Sequence, residues 1–218
     1  MRKLLALLLL PLFACAEIID RIALTIDGKV VTESMLIQQI RLSAFLDNVE
    51  PIVSSNAKRS ASEVLISRLL LWKEMDDTRY PVPAMSAVRE YARESILTRF
   101  PSADALRREL TSHSISEEEL YEFLQQMVRS LEFIDLRFRR GQQAASDELA
   151  DYYKKQYAPA WQRANPGKPV PSLEDAADEI EEIILTVKTD QAREEWLKEA
   201  RSHARIRIRP DAFAGESP

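Results

Sequence analysis

The chain has 218 residues, with 30 Lys and Arg against 35 Asp and Glu and a formal net charge of −5. That length holds one or two domains with a sizeable core. Four Gly and 11 Pro exclude a chain that is disordered throughout, and the acidic balance excludes a general nucleic-acid binder, which needs surplus Lys and Arg.

Residues 1–16 form a targeting segment in this reading. Arg2 and Lys3 make the charged start, an apolar run of about ten residues follows, and Ala14-Cys15-Ala16 fits a small-x-small cleavage site. The run is too short to span a bilayer as a helix, so no transmembrane span is expected. Without Arg2 and Lys3 the chain from Glu17 keeps 28 basic against 35 acidic residues, a net of −7. Leu12-Phe13-Ala14-Cys15 also resembles a bacterial lipoprotein signal, in which Cys15 would carry a lipid anchor. Cys15 is the single cysteine, so cleavage after Ala16 leaves no thiol for a disulfide, a nucleophile or a metal. The leader therefore implies export to an oxidising space, with an anchored lipoprotein as the alternative.

The mature chain opens on Ile22-Ala23-Leu24-Thr25-Ile26, then Asp27-Gly28, then Lys29-Val30-Val31-Thr32. Asp-Gly between two β-prone runs predicts a hairpin with a type I′ turn. Thr32 is placed to cap a helix over 33–46, and Pro51 to end it. Residues 54–60 read as a polar loop. A second helix over 62–76 carries Val64, Leu65, Ile66, Leu69, Leu70, Leu71, Trp72 and Met75 around most of its circumference, which predicts full burial. A thinly apolar helix spans 84–99, and a short one runs from Ser102 or Ala103 to about Leu110. Ser116-Glu117-Glu118-Glu119 is a capping box that starts the longest helix, to about Arg139. Leu120, Leu124, Met127, Leu131, Ile134 and Phe138 make its expected core stripe. Tyr121, Phe123, Val128, Phe133 and Leu136 lie off it.

Ser146 caps a helix to about Tyr157. Residues 158–171, with Pro159, Asn165-Pro166-Gly167 and Pro169, read as an extended loop. Helix resumes at Ser172 and breaks near Thr189-Asp190 before a last helix. Ala204-Arg205-Ile206-Arg207-Ile208-Arg209 alternates and predicts a closing strand paired with the hairpin, because a lone hairpin is marginal. Residues 210–218 read as a loose tail. The expected fold is mainly α, with a small antiparallel sheet made by the N-terminal hairpin and the C-terminal strand.

No phosphate-binding Gly loop, nucleophile elbow or zinc motif is present. His113 and His203 lack ligand partners at helical spacing and are expected at the surface. The acids at 117–119 and 175–182 sit at helix starts or on solvated faces. An enzyme, a metal and a cofactor are therefore not expected.

Several stretches carry a family resemblance. The opening hairpin and helix, Leu65-Ile66-Ser67-Arg68-Leu69-Leu70-Leu71-Trp72, Ile115-Ser116-Glu117-Glu118-Glu119-Leu120, Phe133-Ile134-Asp135-Leu136-Arg137-Phe138, Ser146-Asp147-Glu148-Leu149 and Trp196-Leu197 with Ala204-Arg205-Ile206 stand in the order found in SurA-like periplasmic chaperones. The chain resembles that family across nearly its whole mature length. Relatives insert parvulin isomerase domains of ~100 residues where this chain has only 158–171. The resemblance implies one chaperone domain, 17–218, divided into 17–157, the loop 158–171, 172–209 and the tail. It implies an ATP-independent holdase for unfolded envelope or outer-membrane proteins, without isomerase activity. An assembly subunit for one folded envelope partner is the alternative. Met75, Phe100, Tyr121, Phe123 and Phe133 are the candidate peptide-binding residues, since aromatic and Met side chains suit promiscuous apolar contact.

Overall fold

The computed structural model describes residues 20–213; residues 1–19, with the expected targeting segment and Cys15, and the last five residues lie outside them. The fold is mainly α with a small three-stranded antiparallel sheet.

Strands β1 (Ile22–Ile26) and β2 (Lys29–Thr32) form the expected hairpin, with Thr25 opposite Val30 and Ile26 opposite Lys29. Asp27 and Gly28 have φ of 48° and 90°, the positive values a type I′ turn demands. Strand β3 (Ile206–Ile208) pairs antiparallel with β1, Leu24 facing Ile208 and Ile26 facing Ile206, so the order is β2-β1-β3. Asp27 fastens the join twice: its N–H donates to the Arg205 carbonyl at 3.2 Å, and its carboxylate accepts the Arg205 N–H at 2.9 Å. The two ends of the domain are thereby stitched together.

Helix α1 (Glu33–Asp47) starts as expected, but the Thr32 side chain does not cap it. The Glu33 N–H donates to the Arg21 carbonyl, and Asp20 accepts from the Ser34 N–H. Asn48, at φ 55°, ends the helix three residues before Pro51, and the Val49 N–H closes back onto the Ala44 carbonyl at 3.0 Å.

Helix α2 (Ser55–Asp77) begins seven residues earlier than expected, because Ser54 accepts from the Ala57 N–H as N-cap. The extra turns bury Lys58 against Glu33 and Ala61 against the sheet. Val64 is 46% exposed, so α2 is open on one side rather than enclosed.

Helices α3 (Met85–Ser95) and α4 (Ala103–Ser112) pack with α1 around Phe45, Val88, Leu110 and Leu124. Helix α5 (Glu117–Ile134) carries the complete capping box, Ser116 accepting from the Glu119 N–H at 3.1 Å and Glu119 from the Ser116 N–H at 2.7 Å. A π-helical turn, Asp135–Arg139, continues it.

Helix α6 (Ser146–Tyr152) runs through a second π-helical turn, Tyr153–Tyr157, into α7 (Ala158–Ala164). Half of the expected loop is therefore helical. Pro159 comes just after the π-helical turn, where the widened helix accommodates a residue that lacks an N–H. The rings of Tyr153, Tyr157 and Trp161 stack at 6.0 and 6.2 Å, and the Trp161 indole N–H donates to the Pro169 carbonyl at 3.1 Å. This arm packs on the first half of α8 (Ala177–His203) through Ile180 and Ile184. Helix α8 is unbroken at Thr189, whose hydroxyl donates within the helix to the Leu185 carbonyl at 2.7 Å. Its second half packs Trp196 on Phe138 and reaches the sheet with Leu197 and Ala200.

The expected tail is ordered at its start. Residues Pro210–Phe213 form a 3₁₀ turn, and Ala212 and Phe213 are buried against β1 and α2.

Candidate functional site

The five residues singled out in the sequence do not converge. Met75 is fully buried and Phe133 is 4% exposed; both belong to the core under Tyr80, Phe138 and Trp196. Phe133 meets Tyr80 edge-on at 5.1 Å. Phe100 stacks on Phe45 at 5.9 Å, and Tyr121 packs beneath the Arg89 guanidinium, both on the α1–α3–α4 side. Met75 and Phe133 are thus core residues, whereas Phe123 faces an open concavity.

That concavity is a two-lobed groove with α2 and α5 as its walls. One lobe, about 370 Å³, is closed by α1 and lined by Met35, Leu42, Leu65, Leu69, Trp72 and Phe123. The other, about 440 Å³, is closed by α8 and lined by Val64, Leu71, Phe123, Met127, Ile134 and Leu197. Phe123 and Arg68 belong to both lobes and mark their junction.

The expected stripe on α5 explains why the groove was not legible. Leu120 and Leu124 are buried as expected, but Leu131 is 49% exposed while Val128 and Phe133 are buried. The buried face of α5 shifts along its length. Its first half packs on α1, α3 and α4, and its second half on α2 and the segment around Tyr80. Met127 and Ile134, which sit on a core stripe in sequence, are left at the groove. The apolar surplus on α2, Val64 above all, was the available signal.

At the junction the Arg68 guanidinium lies 4.9 Å from the Phe123 ring centroid and 5.8 Å from that of Trp72. It donates to the Gln39 side-chain carbonyl at 2.6 Å, and Gln39 donates in turn to Ser43 at 2.8 Å. Burial pulls the Arg68 guanidinium below its ordinary value. The rim is charged, with Glu63, Glu119, Glu122, Arg193 and Glu194. The groove is an apolar trough with a polar rim.

His113 departs from its expected surface place. It is 2% exposed, edge-on to Phe45 at 5.8 Å, with its ring nitrogens at 2.9 Å from the Glu109 and Val49 carbonyls. It ties α4 to the end of α1. Among the described residues no group of three or more His, Cys, Asp or Glu is placed to hold a metal ion, and no helix is long and apolar enough to cross a membrane. No protein-family model matches this chain, and no curated protein matches it.

Proposed function

We propose that the chain is an exported, ATP-independent holdase that binds apolar segments of unfolded or partly folded envelope proteins, outer-membrane proteins among them, in the groove between α2 and α5. The observation that carries this reading is the groove itself. It exposes Val64, Met127 and Phe123 beside a charged rim, and each lobe has room for one or two large side chains. A holdase acts by mass action on the unfolded state and needs affinity alone. The resemblance to SurA-like chaperones in the order of hairpin, buried helix, capped long helix and closing strand supports the same class. The leader at 1–16 supports export to the periplasm, and no isomerase step is assigned.

Chemistry specific to the groove tests it. Beyond Cys15 the sequence has no cysteine, so Met127→Cys gives a unique thiol in the mature chain. The protein should slow light scattering by a diluted, urea-unfolded β-barrel protein without nucleotide. Alkylating the Met127→Cys thiol with a bulky maleimide should abolish that effect. The same label at Val187→Cys, on α8 outside both lobes, should not. Full suppression by the groove-labelled protein would remove the groove from the mechanism. Capture of a single folded partner in one-to-one amount, with no effect on scattering, would move the chain to the assembly-subunit class.

A further inference from the structure

Two cations with side chains under a tenth exposed, Lys58 and Arg129, each face a carboxylate: Glu33 for Lys58 and Asp76 for Arg129. Arg68 differs. Among the described residues no carboxylate pairs with it, and its hydrogen-bond partner is the neutral Gln39 amide oxygen. The Phe123 and Trp72 rings offset part of the cost of a half-buried cation, but they supply no negative charge.

Two of the four rim acids are paired with other cations, and a third, Glu119, keeps its charge on neutral donors. Glu119 accepts from Ser116 and from Gln38, Glu63 pairs with Arg201, and Glu194 pairs with Arg193. A guanidinium at the junction of two apolar lobes is therefore short of a counter-charge. A ligand carboxylate would supply one, with two parallel N–H···O bonds as its best geometry.

The position of Arg68 fixes where that carboxylate falls in a bound chain. Arg68 belongs to both lobes, so apolar volume lies on either side of it. In an extended peptide, residues i−2, i and i+2 point to the same face. We propose that the groove selects extended segments of the pattern apolar-x-acid-x-apolar, the acidic side chain on Arg68 and one apolar side chain in each lobe. This inference rests on the groove reading above and names the class of segment the groove takes.

The test uses three fluorescent, N-acetylated and C-amidated peptides, Phe-Ser-Glu-Ser-Phe and its versions with Gln or Lys at the centre. Their binding to the intact protein is read by anisotropy at low salt. The Glu peptide should bind about tenfold or more tightly than the Gln peptide, the range of a charge-assisted over a neutral hydrogen bond, and the Lys peptide weakest. Arg68→Met should erase the order among the three, and Glu122→Gln, which removes the uncommitted rim acid, should tighten the Glu peptide. Equal binding of the Glu and Gln peptides, blocked by the Met127→Cys label, would overturn the acidic preference and leave the groove standing. Binding of none of the three would overturn the groove reading too. The peptide comparison is made on the unaltered chain, so it decides even where Arg68→Met fails to fold.

Discussion

The Arg129 guanidinium meets the Asp76 carboxylate at 3.0 Å and holds α5 to the end of α2. It also donates to the carbonyls of Tyr80 at 2.6 Å and Pro81 at 3.3 Å, and with Gln125, which donates to the Pro83 carbonyl at 3.1 Å, it fixes the connector between α2 and α3. Arg129 is 7% exposed, whereas the Asp76 side chain is 56% exposed. The two partners therefore differ in what their loss does. Arg129→Ala empties a buried position and strips two backbone carbonyls and one carboxylate of their donor, so it should cost roughly 2 kcal/mol or more. Asp76→Asn should cost no more than about 1 kcal/mol, since the carbonyls still satisfy the cation and water solvates the exposed position. Urea midpoints of the two variants check the asymmetry; equal losses would show that the ion pair, not the carbonyl clamp, holds the connector.

The second prediction concerns the end of the described chain. Phe213 is 4% exposed, and the Ala212 carbonyl lies 3.5 Å from the buried Lys58 ammonium. Phe213→Ala should cost about 3 kcal/mol, as for large-to-small core changes. A chain ending at Arg209 should lose at least as much, and one ending at Arg201, which also lacks β3, should not fold. Thermal unfolding of the three decides it, and an unchanged midpoint for the chain ending at Arg209 would contradict the packing of the 3₁₀ turn.

What was legible in the sequence was local chemistry. Asp27-Gly28, the Ser116–Glu119 box and the alternation of 204–209 each state their structure within a few residues, and all three hold. What was not legible depended on distant partners. The first turns of α2 and the order of Phe213 follow from packing on a sheet whose strands come from opposite ends of the chain. Polarity made 54–60 look like a loop, yet Lys58 is buried because Glu33 waits for it. The candidate site failed for the same reason. Phe133 and Met127 differ in which neighbour α5 meets at that depth, and spacing along one helix cannot report that. His113 was misplaced because its partners, the Val49 and Glu109 carbonyls, are backbone atoms.

The arm made by α6, the π-helical turn and α7 gives a third prediction. Trp161 stacks on Tyr157 and bonds the Pro169 carbonyl, but both stay half-exposed or exposed. Replacing 161–169 with a Gly/Ser linker should speed hydrogen exchange in 146–164 while leaving 22–46 protected, because the arm packs on α8 and on the segment leading into it rather than on the sheet. Loss of protection in the hairpin as well would mean that the arm and the sheet domain unfold as one unit.

Acid stability supplies the fourth. Glu119 is held below the ordinary value of 4.5, first by the Ser116 N–H and then by the Ser116 hydroxyl, with the Gln38 amide adding to them. Its folded value is depressed, so the stability it contributes is present above 4.5 and lost as pH falls through the lower folded value. Glu119→Gln keeps a capping side chain at N3 and should change the midpoint little at pH 7. It should flatten the fall in stability below pH 4.5. Parallel acid limbs for the two proteins would show that this carboxylate is not among those that drive acid unfolding.

The last prediction separates groove from core on one helix. Phe123 and Phe133 sit ten positions apart on α5, yet Phe123 lines both lobes and Phe133 is packed on Tyr80. Phe133→Ser removes a ring from a closed site and leaves a hydroxyl without a partner, so it should cost about 3 kcal/mol or more. Any loss of holdase activity should then follow the unfolded fraction. Phe123→Ser removes a half-exposed ring from a surface that water already reaches. It should cost about 1 kcal/mol, the scale of its contact with Arg68. Its suppression of client aggregation should nevertheless fall well below that of the unaltered chain at temperatures where both are fully folded. Unfolding midpoints and scattering measured on the same samples give both numbers. A Phe123→Ser protein that stays folded and suppresses aggregation fully would place client binding elsewhere on the molecule.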